Sequence, residues 1–600
     1  MKLLNKLGIL GLFAISMVAC EDQDPEAQIF PDPDVDFSYC VAGEQYTLDY
    51  YVVSNIQFTN TSAKEGNLTW SFAADTAKYE IVPDSLGNFD INNPIVKYKE
   101  AGRYDVTLTV EGVGSRTYPI LIYDIVPMPS ITSIEGADGP SDMVMLNDSK
   151  VSFDLRLPNP ENLVVQYTWT FPEGTKDADG NEVTTFVRES DPETGAVETP
   201  QGIVFGNLGS QQVTIDAIFD FGGAGERQLE QSYINVQIAS PKAAPTLYYA
   251  QVGGNIKAIK LFSEEELSEM GNPKVFPYDM GVSAGENPFN LLYSPSSSTD
   301  ENGDPTHWIY ILDAGKQYYY INDEGGVLGD GKITAMRTDG TNVNTVISNV
   351  GGAAFSDPFQ GCVYNGYIYY NDRNRGFSKV GINERGLVEA KTSDNFRVDY
   401  IATNEKLGYY NAGISYGAIS TGLYRDRNDV WWWGKNYSGN GIYRFKDEHV
   451  GTAERPYPIV LQTIKFTSYT LDEDRNKLYI WGIHGVGKGA GFVEYDLPAL
   501  DATVAVGNAT AFVNMEAKAV NTTADEPVYV KQLAVDARDG RVYFGYRAES
   551  DDVWTAAKPD ERGTGLVYYN PETQSCHIYG ETKGQEILGV VINPYATQLF

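Results

Sequence analysis

Apolar and polar positions alternate in short runs along most of the chain after residue 44, and turn-forming residues separate the runs. In Gly102–Val110 the positions Tyr104, Val106, Leu108 and Val110 are apolar, and Arg103, Asp105, Thr107 and Thr109 are polar. This period of two sends one strand face into a core and the other into water. Gly102 supplies the turn before it. Upstream lie short strand patterns at 58–62, 70–72 and 93–98. A second set follows in the same order at Phe153, 167–172, 208–215 and 233–238, with 202–205 in place of the 93–98 element.

A different period begins near residue 245, after a linker rich in Pro and Ala at 241–245. Each unit has an apolar strand, a turn, an aromatic second strand, a polar loop and a third strand. The second strands fall at 309–313, 368–372, 430–434, 478–482 and 542–546, with starts 59, 62, 48 and 64 residues apart. All-β self-similarity at this spacing is the signature of a β-propeller. The stretch 332–340 ends in Asp339-Gly340 and leads into 344–347, a hairpin signal. Asp472 and Asp536 precede turns and are read as turn caps. The C-terminal segments 588–593 and 596–600 supply inner strands, and 246–250 and 256–261 supply outer ones. Joined, they form a sixth blade that closes the ring without an exposed edge. Six blades is the expectation, and seven is the alternative.

The first twenty residues carry Lys2 and Lys6, an apolar stretch from Ile9 to Val18, and then Ala19-Cys20. This is the layout of an export signal, too short to span a bilayer comfortably. Met17-Val18-Ala19-Cys20 resembles the lipobox of bacterial lipoproteins, which implies that Cys20 becomes the lipidated first residue. The acidic run from Glu21 to Glu26, continuing through Pro31-Asp32-Pro33-Asp34, is expected to be a disordered tether. The expected division is a signal peptide at 1–19, a tether at 20–43, sandwiches at 44–126 and 127–240, and a propeller at 245–600.

Composition narrows the chemistry. With 45 Lys+Arg against 81 Asp+Glu the net charge is −36, which opposes nucleic acid and bare anionic lipid as partners. Four Cys and four His are too few for a disulfide framework or a Cys/His metal cluster, so no metal or cofactor is expected. Cys362 and Cys576 are read as free thiols. The loop 176–182 has a calcium-loop look but lacks the distal Glu, and is read as a polar hairpin tip.

No G-x-S-x-G, H-E-x-x-H or placed carboxylate pair stands out, so no catalytic residue is assigned. In a propeller the loops after the second strands gather on one face. Those positions hold Asp313, Asp372, Arg373, Lys435, Tyr437, His484 and Arg547, a mixed polar set suited to a zwitterionic or polyhydroxy ligand. Of Trp431-Trp432-Trp433, strand alternation sends Trp432 to one face and its neighbours to the other. Core packing is the favoured role, with Trp433 the candidate exception because it lies nearest the loop.

The run from 58–62 through the closing Gly102–Val110 strand resembles the PKD domain, an immunoglobulin-like sandwich with a central Trp strand, and the second set resembles it more distantly, which implies that Trp70 and Trp169 lie centrally in the two cores. The strand-Asp-turn-strand units at Asp472 and Asp536 resemble propellers of the YWTD class. Lipobox, acidic tether, two PKD-like modules and propeller together resemble the PKD-like surface lipoproteins of Bacteroidota. That resemblance implies an outer-membrane protein, lipid-anchored and facing the cell exterior. It also implies a role in binding oligosaccharide or oligopeptide nutrients beside a SusC-like TonB-dependent transporter and a SusD-like lipoprotein. A propeller-scaffold polysaccharide lyase or hydrolase, and an adhesion or scaffold protein, are the alternatives.

Overall fold

In a computed structural model the described residues lie within 33–597. They exclude 53, 85, 137–142, 160–162, 221–225, 297–306, 317–329, 349–356, 373–375, 383–398, 403–419, 436–440, 450–455, 463–464, 485–490, 503–513, 516–529 and 548–563. The chain is all-β, with one α-helix, Glu264–Glu269, among the described residues.

The N-terminal unit packs two four-stranded sheets. One has the order Phe37–Val41, Ile56–Asn60, Ile95–Tyr98, Tyr79–Val82, and the other Tyr50–Tyr51, Gly114–Tyr123, Gly102–Val110, Leu68–Ser71. The alternation in Gly102–Val110 works as the sequence implies: Tyr104, Val106, Leu108 and Val110 are buried with Ile56, Phe58, Val96 and Tyr98 in one core. The strand Phe37–Val41 lies inside the segment expected to be tether, and Val35, Phe37 and Val41 belong to the core. The acidic composition of 21–34 hid a short apolar alternation that has a sheet to join. Trp70 is half-buried rather than central. It packs against Phe37, Phe58 and Phe72 on an edge strand, and its indole N–H donates to the Ile91 carbonyl at 2.8 Å.

In the second unit Gly209–Asp220 pairs with Ser232–Ala239 on one side and Val164–Thr170 on the other, and Met128–Glu135 pairs with Lys150–Arg156. Trp169 is fully buried against Phe153. The 176–182 loop is a hairpin tip, where the Asp177 carboxylate accepts from the backbone N–H of Asp179 and Asn181 at 3.0 and 2.9 Å.

Six further sheets follow. The first contains Pro288–Ser294, Trp308–Asp313, Lys332–Arg337 and Asn344–Ile347, and the second Pro358–Tyr364, Tyr367–Asp372, Gly376–Gly381 and Asp399–Ala402. The third contains Ser420–Arg425, Trp431–Lys435 and Gly441–Phe445, and the fourth Lys465–Asp472, Lys477–His484 and Gly491–Asp496. The fifth is built on Ala534–Val535, Val542–Arg547, Thr564–Asn570 and Ser575–Ile578. The sixth joins the C-terminal strand Ile587–Thr597 to Ala244–Gln251, Asn255–Lys260 and Tyr278–Ser283. The five expected aromatic strands are each second in their sheets, and 332–347 forms its hairpin. As far as Thr597, the two expected C-terminal inner segments are one strand, Ile587–Thr597. The innermost strands touch in cyclic order, from Ile587–Thr597 to Pro288–Ser294, Pro358–Tyr364, Ser420–Arg425, Lys465–Asp472, Ala534–Val535 and back to Ile587–Thr597. Among the described residues the cycle has six members, against the alternative of seven.

The second unit and the cycle share a core and a backbone bridge. Leu208 N–H donates to Lys274 O at 2.9 Å, Phe276 N–H donates to Leu208 O at 3.0 Å, and Lys274 pairs with Glu173 at 2.7 Å. Gly209 sits at this seam with φ +84°, and a Cβ there would stand 2.0 Å from Phe276 O. Gly209→Ala is therefore expected to destabilise by about 3 kcal/mol, adding the left-handed penalty to an overpacking cost. Denaturant unfolding checks this, and a change below about 1 kcal/mol would show that the seam yields freely.

His307 is buried beside Trp308. Its Nδ1 accepts from Ser296 N–H at 2.8 Å, and its ring packs on Tyr595. Burial, and then the Arg337 charge, hold its pKa below the ordinary 6.5. The unfolded chain takes up this proton as pH falls through about 6.5 while the folded chain resists it, so His307 removes stability progressively below that pH. His307→Gln is expected to flatten part of the fall in Tm between pH 7 and pH 5. Parallel Tm–pH curves for the two proteins would contradict this.

Candidate functional site

The expected site positions are equivalent in register. Asp313 lies opposite Pro288, Asp372 opposite Pro358, Lys435 opposite Ser420 and His484 opposite Lys465, and Arg547 likewise ends its second strand. Sequence spacing thus located one end of the sheets correctly. It did not locate a displayed ligand set, because Asp313, Asp372, Trp433 and Lys435 are all buried. The Asp313 carboxylate accepts from the backbone N–H of Asn287, Gly315 and Glu286 at 2.8, 3.1 and 3.2 Å. Burial raises its pKa, and those three bonds pull the other way. Asp372 accepts from Asp357 N–H at 3.1 Å. Both aspartates tie the loop before a first strand to the end of the second.

Trp433 is core as well, packed on Tyr443 and grouped with Trp431, Phe377 and Phe445, while Trp432 turns to the opposite cluster with Ile442 and Phe466. The alternation is as expected, and the exception proposed for Trp433 is overturned by the neighbouring strands that cover it. Arg373, Tyr437 and Cys20 lie outside the described residues. His484 and Arg547 are placed only as the last residues of their strands.

The hub of the cycle is crossed by amide side chains. Gln532 Nε2 donates to Leu291 O at 2.8 Å, and its Oε1 accepts from Leu291 N–H at 2.7 Å and Val590 N–H at 3.0 Å. Gln360 Nε2 donates to Lys531 O at 3.0 Å, and Gln360 Oε1 accepts from Asn290 Nδ2 at 2.9 Å. These bonds link the segment just before the fifth sheet's Ala534–Val535 strand to inner strands of the first, second and sixth sheets.

The accessible chemistry lies at the other end of the sheets. A cavity of about 620 Å³ opens between the third and fourth sheets, beside the turns that connect their first and second strands. Asp426 and Asn428 come from one turn, Glu473 and Asn476 from the next, and Leu497 to Leu500 from the segment after Gly491–Asp496. Local sequence dictates the turns. Asp426 Oδ1 accepts from Asn428 N–H and Val430 N–H, both at 2.9 Å, and Asp472 Oδ1 caps Arg475 N–H at 3.0 Å. Asp472 is the turn cap the sequence implied, and Asp536 does the same for Arg538 N–H.

The cavity floor is a connected set. Trp432 Nε1 donates to Asp426 Oδ2 at 2.8 Å, and the Arg444 guanidinium lies 5.1 Å from the Trp432 ring centre. Arg444 is 1% exposed and donates to the carbonyls of Ala499, Ala502, Pro498 and Pro458 at 2.9, 2.5, 3.3 and 3.4 Å. Among the described residues its Nε has no acceptor, and the Asp426 and Asp501 carboxylates act on its charge from nearby. Desolvation pushes its pKa down to about 10. Arg444 therefore pins the 498–502 segment as one wall.

Asp426 has both oxygens engaged, whereas Glu473 is half-buried and uses Oε2 to accept from Arg427 N–H at 3.0 Å. Sequence reasoning missed Arg444 because every residue of its strand is buried, which leaves no alternation to mark it. The acidic turns were visible, but not that two of them would face one cavity.

No family model and no curated protein matches the chain. Among solved structures, a Bacteroides fragilis protein provisionally named a 6-phosphogluconolactonase is similar at 9% identity and TM-score 0.23, over 73% of this chain and 99% of that one. The FN1–FN3 domains of chicken CNTN1 are similar at 10% identity and TM-score 0.15, over 53% of this chain and 99% of theirs. Cadherin domains 1–5 of protocadherin gamma B2 are similar at 14% identity and TM-score 0.11, over 50% and 60% of the two chains. Scores this low carry no argument about fold or function.

Proposed function

We propose that the chain is an exported, lipid-anchored binding protein whose six-sheet cycle is a β-propeller that captures an oligosaccharide or oligopeptide nutrient. In this reading Cys20 carries the lipid at the outer membrane. The two PKD-like sandwiches act as a stalk, and the protein serves a SusC-like transporter and its SusD-like partner at the cell surface. The observation that carries the binding role is the cavity between the third and fourth sheets, which sets amide and carboxylate groups over aliphatic walls. Asp426 supports binding over turnover: a carboxylate that already accepts two backbone N–H groups and an indole N–H is poorly placed to exchange protons with a substrate.

Two measurements test the reading. Labelling with a clickable fatty acid should tag the native protein and fail in Cys20→Ala. Purification of the native protein from membranes should bring a TonB-dependent transporter with it. An unlipidated protein recovered alone would remove the uptake role. Glycan cleavage by the purified protein, abolished by Glu473→Gln, would favour the lyase or hydrolase alternative.

A further inference from the structure

The cavity that carries the binding role also discriminates between the two nutrient classes, and its ligand preference rests on that role. A saccharide is held mainly by an aromatic face on which a pyranose ring stacks. Here the aromatic lining residue, Trp432, is only 4% exposed, and its indole is occupied by Asp426 and Arg444. The half-buried wall is aliphatic, formed by Leu471, Leu497 and Leu500.

At the mouth Glu473 keeps carboxylate capacity beyond its one bond to Arg427 N–H, and the nearby cations have carboxylate partners of their own: Arg427 pairs with Asp474, and Arg475 pairs with Asp472. At the floor Arg444, deeply buried, retains one guanidinium N–H without an acceptor among the described residues. That Nε is enclosed by protein and the Asp426 carboxylate acts on the same guanidinium, so the charge a ligand meets in the cavity is negative.

The complementary ligand has an aliphatic stem and a cationic head for Glu473, and a neutral sugar lacks the cation. We infer that the cavity takes a lysine or arginine side chain of a peptide, with its stem against Leu471, Leu497 and Leu500 and its charge at Glu473.

Calorimetric titration of the full-length protein with a blocked lysine tripeptide, its glutamate counterpart and a neutral tetrasaccharide tests this. The lysine peptide alone should bind, at least tenfold more weakly to Glu473→Gln, and more weakly as salt rises. Glutamine at 473 still accepts from Arg427 N–H, so the turn should persist. Leu500→Lys, at the half-buried wall, should also weaken binding and guards against a folding artefact at the turn.

Lysine-peptide binding unchanged in both variants would overturn the site but leave a peptide-binding protein. Saccharide binding weakened by Leu500→Lys would overturn the ligand class and leave the nutrient-capture role intact. If none of the three binds, the inference fails, and co-purification with the transporter decides the broader role independently.

Discussion

Deleting residues 587–600 is expected to abolish cooperative folding of the six-sheet cycle. The strand Ile587–Thr597 supplies the innermost member of a sheet whose other strands come from residues 244–283, so it closes the cycle across the full length of the domain. It buries Ile587, Leu588 and Val590, each worth about 1.5–3 kcal/mol of burial. It also completes the cage around buried Lys260, whose Nζ donates to Thr597 O and Thr597 Oγ1 at 2.8 Å each, as well as to Thr246 Oγ1 at 3.1 Å and Ala244 O at 3.4 Å.

Without the strand, Lys260 loses two of these oxygens and the sheet gains an open inner edge. Apolar burial alone sums to about 6 kcal/mol, comparable with the whole stability of an ordinary domain. Calorimetry should show the cycle's transition lost and limited proteolysis should cut throughout 245–586. A truncated protein with the parent's transition would mean that the strand is not the closure.

Gln532→Ala is expected to be the most damaging single substitution in the hub. It leaves Leu291 N–H, Leu291 O and Val590 N–H without the side chain that now satisfies them. At about 1–3 kcal/mol for each buried group left unpaired, and with some recovery by water, the loss should be about 3–5 kcal/mol. Urea unfolding of the parent and the variant measures it directly. Gln532→Glu keeps an acceptor for the two N–H groups but loses the donor to Leu291 O and buries a charge, so it should also destabilise. A change below about 1 kcal/mol in Gln532→Ala would show that the hub bonds are not structural.

The aspartates at the ends of the second strands show where reading the chain succeeds and where it stops. Their spacing placed Asp313 and Asp372 at equivalent positions, because strand length and turn chemistry are local properties. Their role depended on partners 15 and 26 residues away, Asp357 and Asn287, whose N–H groups reach the carboxylates only once the sheets pack. Val35, Phe37 and Val41 make the converse case. Their alternation was present in the sequence, but the acidic residues around it resembled a tether until a neighbouring strand at Ile56–Asn60 supplied the pairing.

Sequence by itself determined the all-β character, the order of the aromatic second strands, the Asp472 and Asp536 turn caps and the sharing of one sheet between residues 246–261 and the C-terminal segment. These follow from side-chain alternation and from turn residues acting on their immediate neighbours. Tertiary structure alone decided that the accessible cavity lies at the opposite end of the sheets from the expected residues. It also decided that Arg444 builds the floor of that cavity and that Gln532 spans the hub. Those features join groups from different sheets, and a cation 1% exposed or an amide bonded to two strands leaves no periodic trace along the chain.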